Sequence, residues 1–136
     1  MRIAISGAGV AGAALAHWLH RTGHSPILIE HASAFRTGGC MIDFWGISYR
    51  VARKMGIEPA IRDAGYDVQS VRTLAADGTT QAELRIDVFR RMIGNEFTSL
   101  PRGDLAAAIY RTIEDDVPAM FGKASPASIN TRMGCG

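Results

Sequence analysis

Cysteine is scarce: the 136 residues hold two, Cys40 and Cys135. They stand far apart and outside any CxxC or Cys/His cluster, which argues against a disulfide framework and against a metal cage, and for a reducing, cytoplasmic setting. Long apolar runs are absent. Nothing approaches the roughly 18 consecutive apolar residues of a membrane span, and Ile3-Ala4-Ile5 is too short for a signal-peptide core, so no membrane is expected as a partner. Excess charge is lacking too. Fifteen Lys and Arg against 13 Asp and Glu leave a net +2, too small and too scattered to expect nucleic acid as a partner. The four histidines lack ligand spacing. Only His17 and His20 share a predicted helix, both on its polar face, so no metal site is expected. No repeat and no low-complexity tract interrupts the chain.

What is present suits one domain, because 47% apolar residues at a mean hydropathy of +0.05 can bury an ordinary core. Arg2 to Ser6 reads as a short buried strand that stops at Gly7. Ala11, Ala14, Leu15, Trp18 and Leu19 then recur with helical spacing, which predicts that they form the buried face, and Gly23 suits the helix end. Pro26 to Ile29 is a second apolar strand, completing a β-α-β unit. Residues 31 to 45 show no clean period. Helices are expected over residues 46 to 55 and 58 to 64, each followed by a glycine, at Gly56 and Gly65. Strands are expected over residues 68 to 75 and 80 to 89, joined at Asp77-Gly78, a dipeptide made for a tight turn. Leu105, Ala108, Ile109 and Ile113 mark an amphipathic helix with Pro101 in its first turn. Beyond Asp116 weak strand or irregular chain is expected. The division is therefore residues 1 to 116 as the nucleotide-binding segment and 117 to 136 as a tail.

Gly7-Ala8-Gly9-Val10-Ala11-Gly12 fits G-x-G-x-x-G between a predicted strand and a predicted helix, and that context lifts it above a chance match. Gly7 permits the turn, Gly9 lets backbone approach a pyrophosphate, and Gly12 allows close helix-strand packing. The N–H groups around Val10 and Ala11 open the helix, where an anion is favoured. Glu30, 18 residues after Gly12 at the end of the second strand, can accept from ribose hydroxyls and would repel a 2′-phosphate. These residues call for a dinucleotide without deciding which one.

The fingerprint ending in Glu30, then "RTGGCMIDFWG" (residues 36 to 46), the hairpin, and "SLPRGDLAAAIYR" (residues 99 to 111) together resemble the FAD-dependent aromatic-ring monooxygenases of the para-hydroxybenzoate hydroxylase type, a family that includes tetracycline-inactivating enzymes. The similarity covers residues 1 to 115. It implies an α/β, Rossmann-type FAD-binding fold with an inserted β-hairpin, incomplete at its C-terminus. It implies FAD as cofactor, NAD(P)H and dioxygen as co-substrates, and a small aromatic or polycyclic compound as the molecule hydroxylated. On the same resemblance Arg102, with Leu105 in an Arg-x-x-Leu helix start, approaches the cofactor. Arg36 is a further cofactor candidate, and His31 stands where the family usually carries Arg or Lys. Asp43 and Trp45 are candidates for the substrate pocket, whereas Cys40 reads as a small apolar filler. Longer relatives add later Asp-Gly and Gly-Asp motifs, and Asp77-Gly78 is not one of these. Two other readings stay open: a non-catalytic nucleotide-binding remnant, and an NAD-binding dehydrogenase or sensor.

Overall fold

The computed structural model describes residues 1–35 and 39–123; Arg36 and Cys135 lie outside them. Three parallel strands form the main sheet, in the order β1 (Arg2–Ser6), β2 (Ser25–Ile29), β7 (Ala119–Met120). Helix α1 (Val10–Arg21) connects β1 to β2, whose register runs from Arg2 opposite Ser25 to Ser6 opposite Ile29. The helix ends as expected. Gly23 takes φ +81°, its N–H donates to His20 O, and that of His24 donates to Leu19 O, the paired bonds of a Schellman motif.

The buried face of α1 is not the one that its large apolar residues suggest. Ala13, Ala16 and His17 are buried, while Leu15 and Trp18 are exposed. Small side chains allow α1 to lie close against α5 (Arg102–Tyr110), and the bulky ones are left on the far side. β1 likewise differs from a fully buried strand. It has β2 as its one neighbour among the described residues, and Ile5 is its one buried residue.

The unpatterned connection after Glu30 hides β3 (Met41–Trp45), which pairs antiparallel with β6 (Phe97–Pro101). All five residues of β6 are buried, so it has no polar-apolar alternation by which to announce itself. Pro101 closes that strand and caps α5 rather than lying within the helix. Helices α2 (Ile47–Met55) and α3 (Glu58–Asp63) stand where expected, and Gly56 adopts a left-handed conformation at φ +75°. Gly65 has another purpose: a Cβ there would stand 1.9 Å from Thr98 Oγ1, so the glycine lets the chain pass close to β6.

The hairpin of β4 (Ser70–Leu74) and β5 (Thr80–Arg85) turns through Asp77-Gly78. Asp77 Oδ1 accepts from the Thr79 N–H at 2.9 Å, and Gly78 takes φ +84°. The second strand is shorter than its pattern suggests, because Ile86–Met92 forms helix α4. Ile86 is buried there, and Asp87 in the first turn favours a helix start. Among the described residues the core has two parts. Tyr49, Ala52, Ile61, Leu100, Leu105 and Ile109 pack in one, and Ile5, Ala16, Leu28, Ile113 and Val117 in the other.

Candidate functional site

A cavity of about 400 Å³ opens at the carboxyl ends of β1 and β2, lined by Ala8, Gly9, Val10, Glu30, Phe35, Cys40 and Arg102 among others. Ligands of open parallel α/β sheets bind at this end of the strands. The glycines of the turn do different work. Gly7, at φ +94°, carries the chain from β1 into the loop, and its N–H donates to Ile29 O at 2.7 Å. A Cβ on Gly12 would stand 1.9 Å from Gly7 O, so the loop can lie on the helix only if that residue is glycine. A Cβ on Gly9 would meet nothing within 4 Å; the room that its absence leaves belongs to the cavity wall. Hydrogen bonding within α1 begins with the Ala13 N–H donating to Gly9 O. The helix has no side-chain cap and no acidic residue in its first turn. The positive end of its dipole is therefore not neutralised by the helix's own first turn.

Glu30 is held from several directions. Its Oε2 accepts from the Ala8 N–H and its Oε1 from the Ala32 N–H, both at 2.8 Å. Its own N–H donates to Met120 O, and its C=O accepts from the Lys123 N–H. β7 and the turn after it therefore fix the backbone from which the carboxylate projects. Each carboxylate oxygen can accept more than one hydrogen bond. Arg102, at the start of α5, lines the same cavity. Its N–H donates to Cys40 O at 3.2 Å, which ties the start of α5 to the residue before β3. Behind the cavity the Phe35 ring meets those of Tyr110 and Phe121 at 5.3 and 5.1 Å between centroids.

The structure thus brings Gly9, Val10, Glu30 and Arg102 around one cavity, with Gly7 and Gly12 shaping the turn. Ala11 and His31 are exposed and outside the lining. Asp43 and Trp45 lie outside it too. Both sit on the outward face of β3, where Asp43 Oδ1 accepts from Ser99 Oγ at 2.6 Å and Trp45 packs edge-on against Phe89. Cys40 is an exposed wall residue rather than a buried filler. Phe35 and Ala8 were not legible as site residues. The position of Ala8 directly after a turn glycine was their one available signal, and Phe35 had none.

His17 is the other correction. It is 3% exposed rather than solvated, and its Nδ1 lies 2.6 Å from Thr112 Oγ1. The Thr112 hydroxyl donates to Ile109 O, so Nδ1 is the ring donor and the buried Nε2, without a partner, carries the lone pair. Burial first, then the charges of Arg21 and His20, hold its pKa below the ordinary imidazole value. Among the described residues no group of three or more His, Cys, Asp or Glu side chains gathers as a metal site would require. No helix among them is long and apolar enough to cross a membrane.

The parallel β-α-β unit with its cavity at the strand ends defines a nucleotide-binding type of α/β fold. No family model matches the chain. Individual proteins do. A flavin-dependent monooxygenase of Legionella longbeachae is 36% identical over 124 residues, covering 91% of this chain and 31% of the relative. An FAD-dependent monooxygenase of Sarocladium schorii is 28% identical over 126 residues, covering 90% and 29%. Among solved structures, tetracycline destructases Tet(51) and Tet(55) superpose with TM-scores of 0.67 and 0.70 at 32% and 33% identity. They cover 89% and 90% of this chain and 30% and 29% of theirs. CtdE, solved with FAD, shares the fold at a TM-score of 0.73 and 19% identity, over 90% of this chain and 30% of its own. The chain is therefore a homologue of the N-terminal part of flavin-dependent monooxygenases and has their FAD-binding fold. It spans about 30% of the length of the relatives it matches.

Proposed function

We propose that this chain supplies the adenosine side of an FAD site in a flavin-dependent monooxygenase that hydroxylates small aromatic or polycyclic molecules with NAD(P)H and dioxygen. The observation that carries this reading is the convergence of Gly9, Glu30 and Arg102 on one cavity at the amino end of α1. The residues fit the group. Glu30 holds the ribose, the amino end of α1 beside Gly9 holds the pyrophosphate, and Arg102 offers planar donors to phosphate or sugar oxygens. Bound there, FAD supplies the redox and oxygen chemistry, and the protein supplies position, charge and exclusion of water. His31 and Arg36, the latter outside the described residues, are proposed as further cofactor contacts, and Asp43 and Trp45 as substrate-pocket residues. The names of Tet(51) and Tet(55) identify tetracycline as the compound those relatives destroy, and a polycyclic substrate is proposed here by analogy.

Calorimetry with FAD and with NAD tests the reading, together with the visible spectrum of the purified protein. FAD binding is expected, with the flavin absorbance retained or restored on titration. A colourless protein that binds NAD and not FAD would overturn it. Replacing Glu30 by Gln brings an NH2 group against an amide donor and leaves an N–H unpaired, which costs about 1–3 kcal/mol. FAD affinity is expected to fall between about fivefold and about a hundredfold.

A further inference from the structure

A second cavity, about 290 Å³, lies among α2, α3, β6 and the loop after α4, with Tyr49, Arg62, Asp67, Arg90, Asn95 and Thr98 in its lining. It shares no residue with the first. Tyr49 is 0% exposed, yet its Oη has no hydrogen-bond partner, and the buried Nε of Arg90 has none either. A buried polar group left unpaired is costly and calls for an explanation. The Nε–H of Arg90 can only donate. The Tyr49 hydroxyl keeps its proton, because burial pushes its pKa above the ordinary phenol value, and so it donates as well. What both atoms lack is an acceptor.

The two guanidinium groups are already positioned. Arg62 lies over the Tyr49 ring at 5.1 Å and donates to Glu58. Arg90 lies over the Phe97 ring at 5.6 Å and pairs with Asp67. Each guanidinium is already ion-paired, Arg62 with Glu58 just outside the lining and Arg90 with Asp67, so what recommends the cavity is its unpaired buried donors rather than a net charge. The Asp67 side chain is 67% exposed, whereas Tyr49 Oη and Arg90 Nε, on two other lining residues, are buried. Arginine planes fixed by stacking suit an oxygen acid, which accepts two parallel N–H bonds. The volume admits only a small molecule.

We propose that this cavity is a second ligand site that takes a small oxyanion, whose oxygens accept from Tyr49 Oη and from the Arg90 and Arg62 guanidinium groups. The site rests on no part of the FAD reading. Benzoate and inorganic phosphate are the probes, for a carboxylate and a phosphate respectively, titrated while amide chemical shifts are followed by NMR. At least one should bind with a Kd of about 1 mM, an affinity that a few hydrogen bonds can supply. Tyr49→Phe and Arg90→Gln should each weaken it at least about tenfold, whereas Arg102→Gln, in the other cavity, should not. Tyr49→Phe removes an unpaired hydroxyl, so the unliganded variant should melt no lower than the parent. Failure of both probes to bind at tens of millimolar, or binding that survives both Tyr49→Phe and Arg90→Gln, would overturn the proposal.

Discussion

A single methyl group at position 12 would collide with the backbone of the turn it packs against. The contact is with Gly7 O at 1.9 Å, and a carbonyl in a constrained loop cannot swing aside as a flexible side chain would. Gly12→Ala is expected to destabilise the chain by about 3 kcal/mol, read in urea denaturation, and to abolish FAD binding; a variant as stable as the parent would refute the close approach. His17 makes a prediction in pH. Its folded-state pKa lies below that of the unfolded chain, so as pH falls the unfolded chain takes up the proton first. The stability owed to the neutral ring is whole above about pH 6.5, the free imidazole value, and drains as the pH falls through the lower folded value. His17→Gln should flatten the dependence of the urea midpoint between pH 7 and 5. An unchanged slope would place the ring in solvent after all. Both residues show how legibility varies at this scale. Gly12 was readable because a turn and a helix start flank it. His17 was not, because the pattern of α1 places bulky residues on one face, while close packing selects the face with Ala13 and Ala16.

Elements differ in the same way. β1, α1, β2 and α5 announce themselves through period and punctuation, so Gly9, Val10 and Glu30 were readable at their ends, Arg102 was reached through the family resemblance, and the rest of the cavity wall was not readable. β3 and β6 do not, because a strand buried throughout has no alternation, and β3 sits in a connection whose own residues show no period. Asp43 and Trp45 were accordingly assigned to a substrate pocket by resemblance alone, and they are not in the lining of this cavity. β7 has only two residues, below the length at which any pattern is visible. Its effect is larger than its size. Met120 and Lys123 hold the backbone of Glu30 from both sides, and Val117 just before the strand is 1% exposed. A chain ended at Asp116 is therefore expected to be less stable than one ended at Lys123, and to bind FAD more weakly. Thermal melts and FAD titration of the two check this, and equal behaviour would mean that Glu30 does not depend on β7.

At the scale of the whole molecule, the cavity contacts are one-sided. On the proposed FAD reading, Gly9, Val10 and the amide-bound Glu30 would address a ribose and a pyrophosphate, and Arg102 at the start of α5 lines the same cavity. A flavin ring, by contrast, needs an apolar slot with polar groups along its edge. On the described residues the outward face of β3 has Asp43 engaged with Ser99 and Trp45 packed on Phe89. For the FAD reading this asymmetry has a measurable consequence. In the 136-residue chain, ADP should displace FAD with an affinity within about tenfold of that of FAD itself, because both present the same contacts, and each further tenfold would require about 1.4 kcal/mol from the isoalloxazine half. Riboflavin, which lacks the adenosine and the pyrophosphate, should not compete. Competition calorimetry decides it. If riboflavin competes, or FAD binds a hundredfold tighter than ADP, these residues hold the flavin ring as well, and Asp43, Trp45 and Cys40 are the first positions at which to look for the contact.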